Sequence, residues 1–202
     1  MSLKPAFEIG VWNAWILQVL FFLTMFIPDF FLDKEERKRS KRMSQIAPFK
    51  KTRKILALST HVIIMPFVFF YSIFLPLKIG TPWLYSGLAI FAVALVISIA
   101  TIFNAASTLE DRPVTKGIYR ISRHPIYLSG FLMYTGMGIA CASWVVLLCA
   151  VLWIVIWSIL VPDEERFLIE KYGDSYREYS METARWIGIP KAIAHPLPSG
   201  RY

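Results

Sequence analysis

The sequence predicts an all-α integral membrane protein with about five transmembrane helices, and three observations carry this prediction. Of the 202 residues, 56% are hydrophobic and only 18% are charged, with a mean hydropathy of +0.51, which is untypical of a soluble domain. Long stretches contain no Asp, Glu, Lys or Arg. The basic residues between those stretches lie in regions that five crossings would bring to one side of a membrane.

Two uncharged stretches in the first part of the chain have the length of a membrane-spanning helix. Residues 9–28 and 55–77 comprise 20 and 23 residues, and about 20 apolar residues cross the hydrocarbon core. The first stretch is rich in Phe and Trp and has no small-residue cleavage site, so an uncleaved anchor is favoured over a signal peptide. Both stretches are therefore predicted to span the membrane.

The second part of the chain predicts three further helices. A helix is expected over residues 82–103, between the turn residues that end at Pro82 and a polar stretch that begins at Asn104. Residues 125–162 are uncharged and would form a helix of about 57 Å, roughly twice the thickness of the hydrocarbon core. They are expected to fold back as a hairpin that turns near residues 142–143.

The basic residues predict the orientation. Residues 34–54, 112–123 and 163–202 hold ten, four and six of the 22 Lys and Arg residues. Five crossings place these three regions on one side, which the positive-inside tendency identifies as the cytoplasmic side. The net charge of +8 on an apolar chain indicates anionic lipid rather than nucleic acid as the partner of the basic loops.

Other features limit the classes of function. The chain shows no internal repeat or linker, and it is expected to form one domain over residues 1–202. Its two cysteines, Cys141 and Cys149, lie in an uncharged stretch, which excludes a cysteine metal cluster and a disulfide framework. No metal site is expected.

The loop before residue 125 combines residue types that a simple connector does not need. Arg123 and His124 precede Pro125, which suits the first turn of a helix. The helix N-terminus exposes N–H groups and favours an anionic ligand group, and Tyr127 lies one turn further on. Alternatively, Arg123 and His124 anchor lipid headgroups and Tyr127 belongs to an interfacial aromatic belt.

A second polar segment follows Pro162. Glu164 and Glu165 lie where the last crossing leaves the membrane, and they are expected to form a charged pocket with Arg123 and His124 at the lipid boundary. Alternatively, these carboxylates complement the N-terminus of a separate tail helix. In such a helix Tyr172, Tyr176 and Tyr179 would share one face.

Taken together, these residues resemble the membrane methyltransferases of the isoprenylcysteine carboxyl methyltransferase and phospholipid methyltransferase superfamily. The resemblance covers about residues 104–185. Its ordered parts are Val114-Thr-x-Gly117-x-Tyr119, Arg123-His124-Pro125-x-Tyr127-x-x-Gly130, Glu164-Glu165 and Tyr172-Gly173-x-x-Tyr176-x-x-Tyr179.

The resemblance implies methyl transfer from S-adenosyl-L-methionine to a lipophilic acceptor at the membrane interface. It also implies a cytoplasmic cofactor site formed by the loop between the third and fourth helices and by the C-terminal helix. The absence of a Gly-x-Gly-x-x-Gly motif after a strand agrees with a site without a Rossmann domain. The cofactor-binding residues implied by the matching positions are Asn104, Val114, Gly117, Tyr119, His124, Pro125, Tyr127 and Glu164.

One position departs from the pattern of the prenylcysteine enzymes. Four residues before Glu164 these enzymes have an arginine suited to bind an acceptor carboxylate, and this chain has Leu160. A phospholipid amine is therefore the first expectation for the acceptor. Such an amine must lose a proton; Glu165 and Glu164 are the candidate catalytic residues, with Glu165 as the base.

Three other functions remain open from the sequence. A prenylcysteine carboxyl methyltransferase is possible if Arg123, Arg166 or Arg185 replaces the missing arginine. A non-enzymatic transporter or lipid-binding scaffold would use its basic loops only for topology. A membrane reductase, which would bind a nicotinamide cofactor, shares a similar C-terminal pattern.

Overall fold

The described residues are helical apart from short connections. The computed structural model describes residues 8–41 and 49–189. Within these ranges there is no β-strand, which confirms the predicted all-α class. The helices are α1 (Trp15–Phe31), α2 (Lys34–Lys41), α3 (Lys51–Ser59), α4 (Met65–Ser72), α5 (Pro82–Ala106), α6 (Pro125–Ala140), α7 (Trp144–Tyr172) and α8 (Asp174–Glu182).

Two short elements complete the described chain. A π-helical turn, Thr60–Ile64, joins α3 to α4, so that Lys51–Ser72 is one continuous helical stretch. A 3-10 turn, Gly117–Arg120, lies in the loop between α5 and α6. The five predicted membrane segments thus correspond to α1, the stretch Lys51–Ser72, α5, α6 and α7.

Three of these stretches are long and apolar enough to cross a membrane: Lys51–Ser72, Pro82–Ala106 and Trp144–Tyr172. The apolar part of α1, Trp15–Thr24, is shorter. Helix α6 has 16 residues, which rise by only about 24 Å. The protein is an integral membrane protein, whereas the full count of five crossings stays a prediction.

The hairpin turn between α6 and α7 lies where the sequence places it. Helix α6 ends at Ala140, Ala142 adopts a left-handed conformation with φ 53°, and α7 begins at Trp144. The Ser143 side chain accepts a hydrogen bond from the Val146 N–H at 3.4 Å, which caps the new helix. The expected fold-back is confirmed.

The end of α7 differs from the expected separate tail helix. Helix α7 continues through Pro162 to Tyr172, so Glu164 and Glu165 lie inside a helix rather than at a helix N-terminus. The alternative in which these carboxylates complement a helix N-terminus is therefore wrong. The chain turns at Gly173, which also separates Tyr172 from the helix that carries Tyr176 and Tyr179.

Helices α5 and α6 form the most extensive helix–helix contact among the described elements. Gly87 and Gly136 lie at their closest approach. A Cβ on Gly87 would lie 2.5 Å from the Gly136 carbonyl oxygen and 2.4 Å from the Ala140 backbone nitrogen. Small residues allow helices in membranes to pack this closely. The contact fixes the loop between α5 and α6, which closes one side of the candidate site.

Candidate active site

One pocket lies where the loop between α5 and α6 meets the start of α6, the end of α7 and α8. The space around it measures about 820 Å³ when the part open to solvent is included. The residues that line it are Pro113, Val114, Tyr119, Arg123, His124, Pro125, Ile126, Tyr127, Glu164, Phe167, Leu168, Lys171, Tyr172, Tyr176 and Tyr179.

Glu165 lies beside this pocket at the centre of a cluster of cationic side chains. Its side chain is only 11% exposed. The Arg185 Nη2 donates to Glu165 Oε2 at 2.6 Å and the Arg185 Nε donates to Oε1 at 3.2 Å. Arg123 Nη1 lies 3.2 Å from Oε1, and His124 Nε2 lies 3.3 Å from the same oxygen. These contacts stabilise the ionised carboxylate.

The segment after α8 brings Arg185 to Glu165. The Arg123 N–H donates to the Ala184 carbonyl at 3.0 Å, and the Gly188 N–H donates to the Ile121 carbonyl at 2.9 Å. The hydrogen bond to Glu165 raises the pKa of the Arg185 guanidinium, although desolvation opposes it. Arg185 thus stays charged and ties the end of the described chain to the loop before α6.

Glu164 faces the pocket, and its contacts differ from those of Glu165. The Tyr127 hydroxyl donates to Glu164 Oε2 at 2.9 Å, and His124 Nδ1 lies 3.8 Å from that oxygen. The His124 ring therefore lies between the two carboxylates. With 3% exposure, His124 is too buried to anchor lipid headgroups, which argues against that alternative.

Aromatic rings fix the position of Tyr127. Its ring stacks on Trp157 with a centroid distance of 3.7 Å and an interplanar angle of 11°, and it lies nearly parallel to the His124 ring at 5.9 Å. The Trp153 Nε1 donates to the Tyr127 carbonyl at 3.0 Å. The hydroxyl of Tyr127 is thus held at Glu164 by contacts from α7.

Asn104 and Gly117 form a contact that shapes the loop between α5 and α6. The Ile118 N–H donates to the Asn104 side-chain oxygen at 3.3 Å. Gly117 has a φ of 59°, and a Cβ there would lie 1.8 Å from the same oxygen. Both the positive φ and the close approach require glycine at this position. The pair shapes the loop that contributes Val114 and Tyr119 to the pocket.

Three buried tyrosines form the wall opposite α6. Tyr119, Tyr176 and Tyr179 pack together, and the Tyr179 hydroxyl donates to the Tyr119 carbonyl at 2.7 Å. Burial raises the pKa of the Tyr179 phenol well above its ordinary value, with the neighbouring Tyr176 adding to the effect. This hydroxyl remains a hydrogen-bond donor that joins α8 to the loop.

Most of the site residues proposed from the sequence come together here. Val114, Tyr119, His124, Pro125, Tyr127 and Glu164 line the pocket, whereas Asn104, Gly117 and Glu165 are not among its lining residues. The sequence did not assign roles to Trp157, Phe167 or Lys171. Phe167 and Lys171 follow Glu164 at helical spacing, so the continuous helix would have indicated both. No signal in the sequence pointed to Trp157.

In residues 8–41 and 49–189, no three or more His, Cys, Asp or Glu side chains are grouped as a metal ion would require. The polar groups of the pocket are carboxylate, imidazole, guanidinium and phenol. Such a set suits an organic ligand that carries both charges and a flat ring.

The fold and this pocket define an integral membrane protein with a polar binding site at the ends of its helices. The family model of the phospholipid methyltransferases matches residues 83–175, a segment that runs from α5 into α8 and contains every site residue proposed from the sequence. This match, to a family within the isoprenylcysteine and phospholipid methyltransferase superfamily, covers a little under half of the chain and supports a membrane methyltransferase. No curated protein matches the sequence.

The match confirms the resemblance inferred from the ordered motifs. It favours the methyltransferase over the transporter, the scaffold and the reductase. It ends before Arg185, so the partner of Glu165 in the last described segment is found from the structure alone.

Proposed function

We propose that the protein transfers a methyl group from S-adenosyl-L-methionine to a lipophilic acceptor at the membrane interface, with a phospholipid amine as the first choice. The observation that carries the proposal is the pocket that joins the Glu164 carboxylate to a set of tyrosines at the end of the apolar helices. A water-soluble cofactor enters such a pocket from the aqueous side, while an acceptor in the bilayer approaches along the helices.

The residues present fit this cofactor. Its ammonium and ribose hydroxyl groups suit Glu164, which faces the pocket and accepts a hydrogen bond from Tyr127. Its purine ring suits the tyrosine wall, where Tyr119 and Tyr172 offer ring surfaces. Val114 and Pro125 would contribute apolar contacts. When bound, the cofactor supplies a methyl group on a positively charged sulfur.

The chain's own task is to hold the reactants in line and to exclude water. The His124, Tyr127 and Trp157 rings form a rigid wall for this purpose. The contacts of Glu165 favour a positioning role over the proton-accepting role suggested by its place in the sequence. Its carboxylate is already the acceptor for Arg123, His124 and Arg185, which leaves Glu164 as the more accessible carboxylate.

The environment of Leu160 supports an acceptor without a carboxylate. Leu160 is fully buried in the apolar core. Arg123 and Arg185, two of the candidates to replace the missing arginine, both contact Glu165, and its negative charge weakens their attraction for another carboxylate. Arg166 is exposed and does not line the pocket.

An acceptor assay tests this choice. We expect purified protein with labelled S-adenosyl-L-methionine to label an amine phospholipid such as phosphatidylethanolamine. A farnesylated cysteine analogue should remain unlabelled, because nothing replaces the arginine at Leu160. Labelling of the farnesylcysteine carboxylate without labelling of lipid amines would contradict the proposal. Introducing Leu160→Arg shows whether this position alone changes the acceptor.

Cofactor binding depends on Glu164 and His124 in this proposal. We expect Glu164→Gln and His124→Ala to weaken binding of S-adenosylhomocysteine by about 1.5–3 kcal/mol each, the contribution of a hydrogen bond to a charged group. Calorimetric titration of the detergent-solubilised protein measures the loss. Glu170→Gln is the matched control, because Glu170 is an exposed carboxylate on the same helix. Unchanged affinity in both site variants would refute the assignment.

We further propose that residues 1–202 form one domain and that the pocket faces the cytoplasm, as the charge distribution indicates. Cysteine labelling tests the orientation, since both native cysteines are buried. Cysteine at the exposed Glu35 should react only from the cytoplasmic side, and cysteine at the exposed Ile79 only from the opposite side. The reverse pattern would overturn the orientation.

A further inference from the structure

Tyr176 has a buried hydroxyl that no group in residues 8–41 and 49–189 satisfies. The residue is 3% exposed and lines the pocket. Among the described residues, its hydroxyl oxygen has no hydrogen-bond partner. An unsatisfied buried polar group costs roughly 1–3 kcal/mol, and each such group in a native protein calls for an explanation, such as a bound ion, an ordered water or a catalytic role.

Arg123 presents a second unsatisfied donor at the same pocket. Its Nη1 lies 3.2 Å from Glu165, and its side chain is 13% exposed. Its Nε, by contrast, is buried without a hydrogen-bond partner within the described part of the chain. A guanidinium N–H is a donor only, so its partner has to be an acceptor.

The Tyr176 hydroxyl also acts as a donor. Burial raises the pKa of this phenol above its ordinary value, and the charges of Glu165 and Glu164 act in the same direction. The hydroxyl therefore keeps its proton at neutral pH. Lys171, on the same helix as Glu164, adds a positive charge to the pocket wall.

The pocket lining thus carries groups of opposite character. Glu164 supplies a negative charge, while Arg123, Tyr176 and Lys171 supply donors and positive charge. We propose that the Tyr176 hydroxyl and the Arg123 Nε–H together bind an oxyanion of the ligand that occupies the pocket.

Two ligands of the proposed reaction carry such a group, and this inference rests on the proposed function in naming them. One is the carboxylate of the cofactor's amino-acid part, and the other is the phosphodiester of a phospholipid acceptor. Both are oxyanions that accept hydrogen bonds from a phenol and a guanidinium. In either ligand the oxyanion lies a few bonds from an ammonium or amine, which matches a lining that carries both a carboxylate and donor groups.

Tyr176→Phe tests the proposal because it removes one oxygen and keeps the ring. If the oxyanion is the cofactor carboxylate, affinity for S-adenosylhomocysteine falls roughly tenfold to a hundredfold, while affinity for methylthioadenosine, which lacks the carboxylate, does not change. If it is the lipid phosphodiester, the cofactor affinity is unchanged. The KM for phosphatidylethanolamine then rises by a similar factor, and that for a long-chain amine without phosphate does not.

Tyr134→Phe is the matched control, since Tyr134 is a fully buried tyrosine that does not line the pocket. Equal ligand affinities and KM values in the parent protein and Tyr176→Phe would overturn the oxyanion site and leave the proposed function intact. If the parent protein neither binds the cofactor nor transfers methyl groups, the proposed function fails. The oxyanion site is then tested by the shift in melting temperature that short-chain phosphatidylethanolamine causes. Equal shifts in the parent protein and in Tyr176→Phe would refute the site.

Discussion

Replacing Glu165 by glutamine is expected to destabilise the protein by about 3 kcal/mol and to weaken cofactor binding. The substitution removes the charge that Arg123, His124 and Arg185 share. Breaking a buried ion pair from one side typically costs about 3–5 kcal/mol. The lower figure applies because the Arg185 side chain is 40% exposed and keeps part of its hydration. Thermal or denaturant unfolding in detergent measures the change.

This substitution also separates the two roles considered for Glu165. A positioning residue affects the melting temperature and the affinity for S-adenosylhomocysteine together, because the arginines and His124 lose their common partner. A catalytic base affects turnover while stability and affinity stay at the parent level. The second pattern would refute the positioning role. Glu170→Gln, an exposed change on the same helix, should leave all three quantities unchanged.

A double-mutant cycle measures the interaction free energy between Glu165 and Arg185. The Glu165→Gln and Arg185→Gln variants and their combination report the coupling between the two side chains. Since two hydrogen bonds join them, the combined loss should be smaller than the summed single losses. Strict additivity would show that the two hydrogen bonds contribute no energy.

Replacing Gly87 by alanine is expected to destabilise the contact between α5 and α6. On a free helix surface this change stabilises by about 1 kcal/mol, because alanine has the higher helix propensity. Here the added Cβ would lie within 2.8 Å of three backbone atoms on α6. Backbone atoms cannot relieve this contact by changing rotamer, as a side chain can. Overpacking of this kind costs about 1–3 kcal/mol or more, so we expect a net loss.

The Gly87 variant should also impair the pocket, although Gly87 lies far along α5 from it. Separation of α5 from α6 moves Asn104, near the end of α5, relative to His124, just before α6. Both residues support the loop that joins the two helices. Unfolding and cofactor titration measure the two effects. Ser86→Thr is the control, since it adds one methyl group at an exposed neighbouring position. A Gly87→Ala variant with raised stability would show that the helices tolerate the added group.

The sequence by itself predicted the membrane class, the helical segments and most of the polar residues that the structure brings to the pocket. Charge-free stretches of about 20 residues leave a chain few alternatives to helices in lipid, because each backbone polar group must be satisfied within the segment. Pro125 and the small residues near position 142 were local signals of a helix start and a turn. Both act within a few residues, so they can be recognised in the sequence.

Only the tertiary structure decided what each polar residue contacts. Glu164 and Glu165 are neighbours in sequence, yet one faces the pocket and the other faces Arg123 and Arg185. Successive residues of an α-helix point about 100° apart, and only the packing of α7 determines which direction is the pocket. The continuation of α7 through Pro162 was likewise hidden, since the local signal favoured an interruption and helix packing overrode it.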